Sequence, residues 1–160
     1  MVEVEMARAE PVGLRSAQSQ SGSRVTIWNA MPTASTDVPS LVVGQASLST
    51  SRYPSGPTAS TIAEPGGVWT DGTRLVVSDT DYNRVLVWNS FPTSDGQPAD
   101  FALGQAATSV IGQPSLTSAA GLTGPLTTAD VGASYALYAD RNLLYVADRS
   151  NYRVVLRPHE

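Results

Sequence analysis

The apolar residues of this chain fall in short β-branched runs bounded by turn formers, and the clearest series lies between positions 66 and 105. There "GGVWT" (66–70) leads through the turn "DGT" into "RLVVSD" (74–79), which has the apolar, β-branched character of a buried strand. The tight turn "TDYN" returns the chain as "RVLVWN" (84–89), and after the loop "SFPTSDGQP" a fourth short run, "DFALGQ" (100–105), follows. This pattern predicts four antiparallel strands in a meander, which is one small sheet.

The pattern is not unique within the chain. Between Arg24/Arg84 and Ser49/Ser109 the sequence repeats at a spacing of 60 without a gap, with ten of 26 positions identical, Trp28/Trp88, Pro32/Pro92 and Gln45/Gln105 among them. A second register at a spacing of 69 lays "DGTRLVVSDTDYNRV" (71–85) over "DRNLLYVADRSNYRV" (140–154), with six of 15 positions identical, including Asp79/Asp148 and Arg84/Arg153. The two registers define one unit, present once in full and twice in part, over about 21–50, 62–108 and 129–158. The first unit supplies two readable strands, "RVTIWN" and "SLVVGQ", the middle unit four and the last three, the first of these in "ASYALYA" (133–139). Residues 1–20 read as a degenerate first half-unit or a flexible tail, because the shifted register puts "RSA" (15–17) where "LVV" stands and Ser19 where Asp79 stands. A single sheet with two apolar faces buries neither alone, so such sheets stack. A radial stack of four-stranded sheets is a β-propeller.

Composition narrows the function more than the fold. The 160 residues are 41% hydrophobic, enough for a packed core, and the wealth of Ser, Thr, Val, Gly and Pro suits strands and turns. A net charge of −4 lacks the basic footprint of a nucleic-acid binder. The absence of cysteine removes disulfides, thiolate nucleophiles and Cys-ligated metals together. Neither a signal-peptide core nor a membrane-spanning run is expected, which reads as cytoplasmic for the chain as written.

The stretch "GVWTDGTRLVVSDTDYNRVLVWNSFPTSDGQPADFALGQ" resembles the long NHL-repeat blades of bacterial propeller proteins, most specifically over positions 64–105. The resemblance implies an all-β propeller with about 2.5–3 blades per chain. Because a closed ring takes about 4–8 blades, it implies completion by a homo-oligomer, most simply a six-bladed dimer, unless the chain is part of a longer propeller. Members of this family are often extracellular. The resemblance implies a non-enzymatic scaffold whose rim loops bind a protein or glycan partner. A second, looser similarity joins "IAEPGGVWTDG" to the Glu-Gly-Pro-x-Trp segment of six-bladed gluconolactonase-type hydrolases, with one extra residue between Glu64 and Trp69. It implies a competing function: a metal-dependent hydrolase of lactones, esters or phosphotriesters, with Glu64, and Asp130 from another unit, as ligands of calcium or magnesium.

The catalytic inventory is thin. His159, the sole histidine, is penultimate, which disfavours a histidine-based triad, and the spaced glycines of "GQAATSVIGQPS" lack the Lys-Ser/Thr ending of a phosphate loop. Asp79 and Asp148 end the second strand of their units, five residues before Arg84 and Arg153, a recurrence that reads as structural pairing. Asp71 and Asp140 read as turn residues. Trp28 and Trp88 read as packing between sheets. Trp69, Asp81, Tyr82, Asn151 and Tyr152 are the candidate rim-loop binding residues, with turn exposure alone as the competing account.

Overall fold

The computed structural model of the protein describes residues 2–3, 15–19, 22–30, 32–103, 134–139, 143–149 and 152–158. The fold is all-β, with no α-helix among these residues. Three antiparallel meanders follow one another along the chain. The first sheet holds β1 (Val2–Glu3), β2 (Arg15–Ser19), β3 (Arg24–Trp28) and β4 (Leu41–Val43). The second holds β5 (Pro65–Thr70), β6 (Leu75–Asp79), β7 (Arg84–Trp88) and β8 (Phe101–Leu103). The third holds β9 (Ser134–Ala139), β10 (Leu143–Asp148) and β11 (Arg153–Pro158).

The first sheet has four strands where the hydrophobic pattern shows two. The polar run "RSAQS" is β2, paired Arg15↔Trp28 to Ser19↔Arg24. That register is the pairing Leu75↔Trp88 to Asp79↔Arg84 of the second sheet, moved by the repeat spacing of 60. Backbone hydrogen bonding to β3 holds the strand although its side chains lack the unit's apolar signature. The loss is felt at Arg24. Its counterpart Arg84 faces Asp79, whereas Arg24, opposite Ser19, keeps a buried Nε–H without a partner and donates through Nη1 to the carbonyls of Leu48 and Thr50, at 2.9 and 2.6 Å.

The backbone repeats more faithfully than the sequence. Ser23, Asn83 and Tyr152 have φ of 47°, 49° and 52°, and they occupy one and the same position in the turn between the second and third strands of each unit. A register shift recurs likewise, opposite Asp79 between Pro65 and Gly67 and at the equivalent Ala147/Asp148 step. Left-handed φ disfavours a residue with a bulky side chain and is tolerated by Asn. Tyr152 is 97% exposed, so no packing would be lost on replacing it. Tyr152→Asn is therefore expected to raise stability by up to about 1 kcal/mol, read as a higher urea midpoint with an unchanged slope.

Strand alternation sends each face of the second sheet to a different neighbour. Leu75, Val77, Leu86 and Trp88 point one way and pack with Val25, Ile27, Leu41 and Val43 of the first sheet. Val76, Val85 and Val87 point the other way and pack with Leu144, Val146 and Val155 of the third. Both faces of β6 and β7 are thus buried, which explains their near-continuous apolar sequence. The seam with the first sheet is also hydrogen-bonded: the Val42 N–H donates to Asp95 Oδ1 at 3.0 Å, and the Gly96 N–H donates to the Val42 carbonyl at 2.9 Å. Gly96 sits at φ 65°, where an added Cβ would lie 3.1 Å from the Gln45 carbonyl oxygen. Among the described residues no helix is long and apolar enough to cross a membrane.

Candidate functional site

The turn between β6 and β7 is anchored by a fully buried ion pair. Arg84 Nε donates to Asp79 Oδ2 at 2.9 Å, with both side chains inaccessible to solvent. Each partner also grips the segment before β5. The N–H groups of Ala63 and Glu64 donate to Asp79 Oδ1 at 2.9 and 3.3 Å, and Arg84 Nη2 donates to the Thr61 carbonyl at 2.7 Å. Burial pushes the Asp79 carboxyl upward, against the Arg84 charge and the Ala63 amide, which favour its ionised form. The expected structural role of this Asp-to-Arg spacing is met by the observed pair. Asp71 is likewise turn chemistry: it accepts from the N–H groups of Thr73 and Arg74 and pairs with the Arg74 guanidinium at 2.9 Å.

Above the ion pair lies a cluster of aromatic and acidic side chains. The Arg84 guanidinium stacks 5.2 Å from the ring centre of Tyr82, whose hydroxyl donates to the Pro54 carbonyl at 3.2 Å. Tyr53 meets Tyr82 edge to face, with ring centres 6.5 Å apart, and its hydroxyl donates to Asp81 Oδ2 at 3.0 Å. Partial burial and the bond to Asp81 push the Tyr53 hydroxyl up to about 12, so it is a neutral donor at ordinary pH. The Thr80 N–H donates to the Glu64 carbonyl at 2.8 Å. This ties the two backbones together and sets the Glu64 carboxyl against Asp81. A hydrogen bond with Asp81, partial burial and the Asp81 charge together raise Glu64 above its ordinary 4.5.

The loop carrying Tyr53 is held from below by Gln45. Its buried amide donates to the carbonyls of Ser23 and Arg52, at 3.0 and 2.8 Å. The preceding Gly44 has φ of 91°, and an added Cβ would come within 2.9 Å of Ile62. The "GQ" of the first unit is thus an anchor that turns the chain out of β4 and fixes the next loop.

The structure groups some of the residues expected to form a site and separates others. Glu64 and Asp81 come together at the end of the second sheet where β5 begins. Tyr82 lies at the same end but is 7% exposed, because its ring packs against Arg84 and Tyr53 and its hydroxyl is held by the Pro54 carbonyl. The accessible aromatic is Tyr53, 60% exposed, which carries no periodic signal in its Ser/Pro/Gly-rich loop. Trp69 lies toward the opposite end of β5, half-buried in the second core cluster, with the Arg74 guanidinium 5.9 Å from its ring. Tyr152 is exposed in the equivalent turn of the third sheet. Asn151 and Asp130 lie outside the described residues. Among the described residues no group of three or more acidic or histidine side chains could hold a metal ion.

Comparisons with protein-family models, with curated proteins and with solved structures found no match to this chain.

Proposed function

We propose that the chain is an NHL-type propeller scaffold, assembled as a homo-oligomeric ring, that binds a protein or glycan partner through the rim formed by Tyr53, Asp81 and Glu64. The observation that carries this reading is a break in the repeat. Asp79 and Arg84 recur in the third unit as Asp148 and Arg153, as scaffold residues do. Glu64 and Asp81, by contrast, align with Val4 and Ser21 in the first unit and with Ala133 and Ser150 in the third. Only the middle unit puts two carboxyls at these positions. They flank an exposed ring, and carboxylates beside an aromatic face suit a ligand rich in hydroxyl donors with an apolar side, such as a sugar.

An array of immobilised oligosaccharides, probed with the native protein and with Tyr53→Ala, tests it. Retention on a defined subset of glycans is expected, falling at least tenfold with Tyr53→Ala and at least as far with Asp81→Ala, with the thermal midpoint of Tyr53→Ala little changed. Equal retention by native protein and Tyr53→Ala would contradict the reading.

The juxtaposed carboxyls favour the hydrolase as the second reading. Its requirement is hydrolysis of a lactone or phosphotriester that depends on added calcium and disappears in Glu64→Gln. The pair also makes a pH prediction independent of any ligand. Glu64 titrates above its unfolded value, so the folded state holds the extra proton. Its stabilising contribution is complete below its ordinary 4.5 and is lost as pH rises through the raised value. Glu64→Gln is therefore expected to gain stability relative to the native chain as pH increases from about 4 to neutrality, as read from thermal midpoints across that range.

A further inference from the structure

The third sheet turns one face to the second sheet and the other to solvent. On the solvent side stand Tyr138, Tyr145, Val154 and Leu156. Val154 is 57% exposed, Leu156 50% and Tyr138 60%, while Tyr145 is half-covered and stacks on Tyr138 with ring centres 5.6 Å apart. Strand pairing sets Tyr145 between Tyr138 and Leu156, so the patch is continuous across β9, β10 and β11. These four side chains carry no charge. Contiguous apolar faces of this kind mark interaction surfaces.

The repeat identifies the covering that such a face takes. At the spacing of 69, Tyr145, Val154 and Leu156 correspond to Val76, Val85 and Val87. Those three are 5%, 0% and 5% exposed, because the next sheet of the same unit type lies over them with Leu144, Val146 and Val155. The third sheet therefore presents the face that, one unit earlier, is closed by another sheet packing with its opposite face. Applying both spacings, the position of Val155 is that of Leu86 in the second sheet and of Thr26 in the first. In the first sheet this face, carrying Thr26 and Trp28, is turned away from the second sheet. Trp28 is partly buried there and its indole N–H, itself buried, has no partner among the described residues, although the equivalent Trp88 donates to the Gln97 carbonyl at 3.0 Å.

We infer that the exposed face of the third sheet docks on the Thr26/Trp28 face of the first sheet of a second copy of this chain, head to tail. The inference rests on the stacked-repeat reading above and specifies its contact. Heterologous contacts of this polarity close into a ring when the rotation permits. The described residues of one chain supply three sheets, so two chains would supply six of these, within the range of closed propellers.

The absence of native cysteine makes cross-linking a clean test. Chains carrying Val154→Cys and chains carrying Thr26→Cys are co-expressed, so that they assemble together, and treated with a short bismaleimide. A covalent dimer is expected from the co-expressed pair, with neither variant linking when treated alone. The native chain is compared in parallel with Val154→Lys/Leu156→Lys. Both positions are exposed within the single chain, so two lysines there are expected to halve the native mass while leaving the β-sheet circular dichroism in place. A link formed by Val154→Cys alone would mean a symmetric face-to-face dimer and would overturn the inference. So would the absence of any link, or a mass unaffected by the two lysines. These readouts report contacts between copies and not rim binding, so the ring contact and the glycan reading can fail separately.

Discussion

Asp79→Ala is expected to remove about 3–5 kcal/mol of folding stability, the usual consequence of leaving one member of a buried ion pair without its partner. Arg84 has no route to water, since its side chain is inaccessible and is covered by the Tyr82 ring. The loss also frees the Ala63 and Glu64 amides that Asp79 now accepts from. Removing both charges together, as Asp79→Ala/Arg84→Met, is expected to recover much of the deficit, because replacing a buried ion pair with apolar side chains is often neutral. Urea unfolding of the two variants and the native chain measures both effects. A loss under about 1 kcal/mol for Asp79→Ala, the range of exposed pairs, would mean that the pair is hydrated.

Trp88→Ala is expected to cost a comparable amount, about 3–5 kcal/mol. Trp88 is among the largest fully buried side chains and lies at the seam between the first and second sheets. Its removal leaves a void in the core cluster between the first two sheets, lined by Val25, Ile27 and Leu86 among others. Trp88→Phe separates packing from polarity: it keeps most of the ring contact but strips the Gln97 carbonyl of the indole donor, a change of about 1 kcal/mol. Equal losses for the two substitutions, measured by denaturant titration, would assign the effect to the hydrogen bond and contradict the packing account.

How much of this is readable in the sequence depends on whether a residue belongs to the repeat. Trp88, Arg84 and Asp79 announce their roles because they recur at fixed spacing, and the structure gives Asp79 and Arg84 the pairing that spacing implies. The first two strands are illegible because "RSAQS" keeps the backbone register of the unit without its apolar side chains. Only the neighbouring strand reveals it. Tyr82 reads as a rim residue and is buried, since spacing along a turn does not say which residue tucks under the arginine. Tyr53 carries no signal because an irregular loop has no period to mark one aromatic as special. The contact that holds this loop in place, from the Gln45 amide to the Arg52 carbonyl, joins a repeated residue to one outside any strand, and no periodicity displays it.

The central claim is that the three sheets are successive copies of one stacking unit and that the free face of the last is closed by a second chain. The absolute mass of the native protein in solution, by light scattering after gel filtration, tests it most directly. The account predicts a discrete species of twice the 16.8 kDa chain mass, unchanged on dilution to low micromolar concentration. A single-chain mass at every concentration would contradict it.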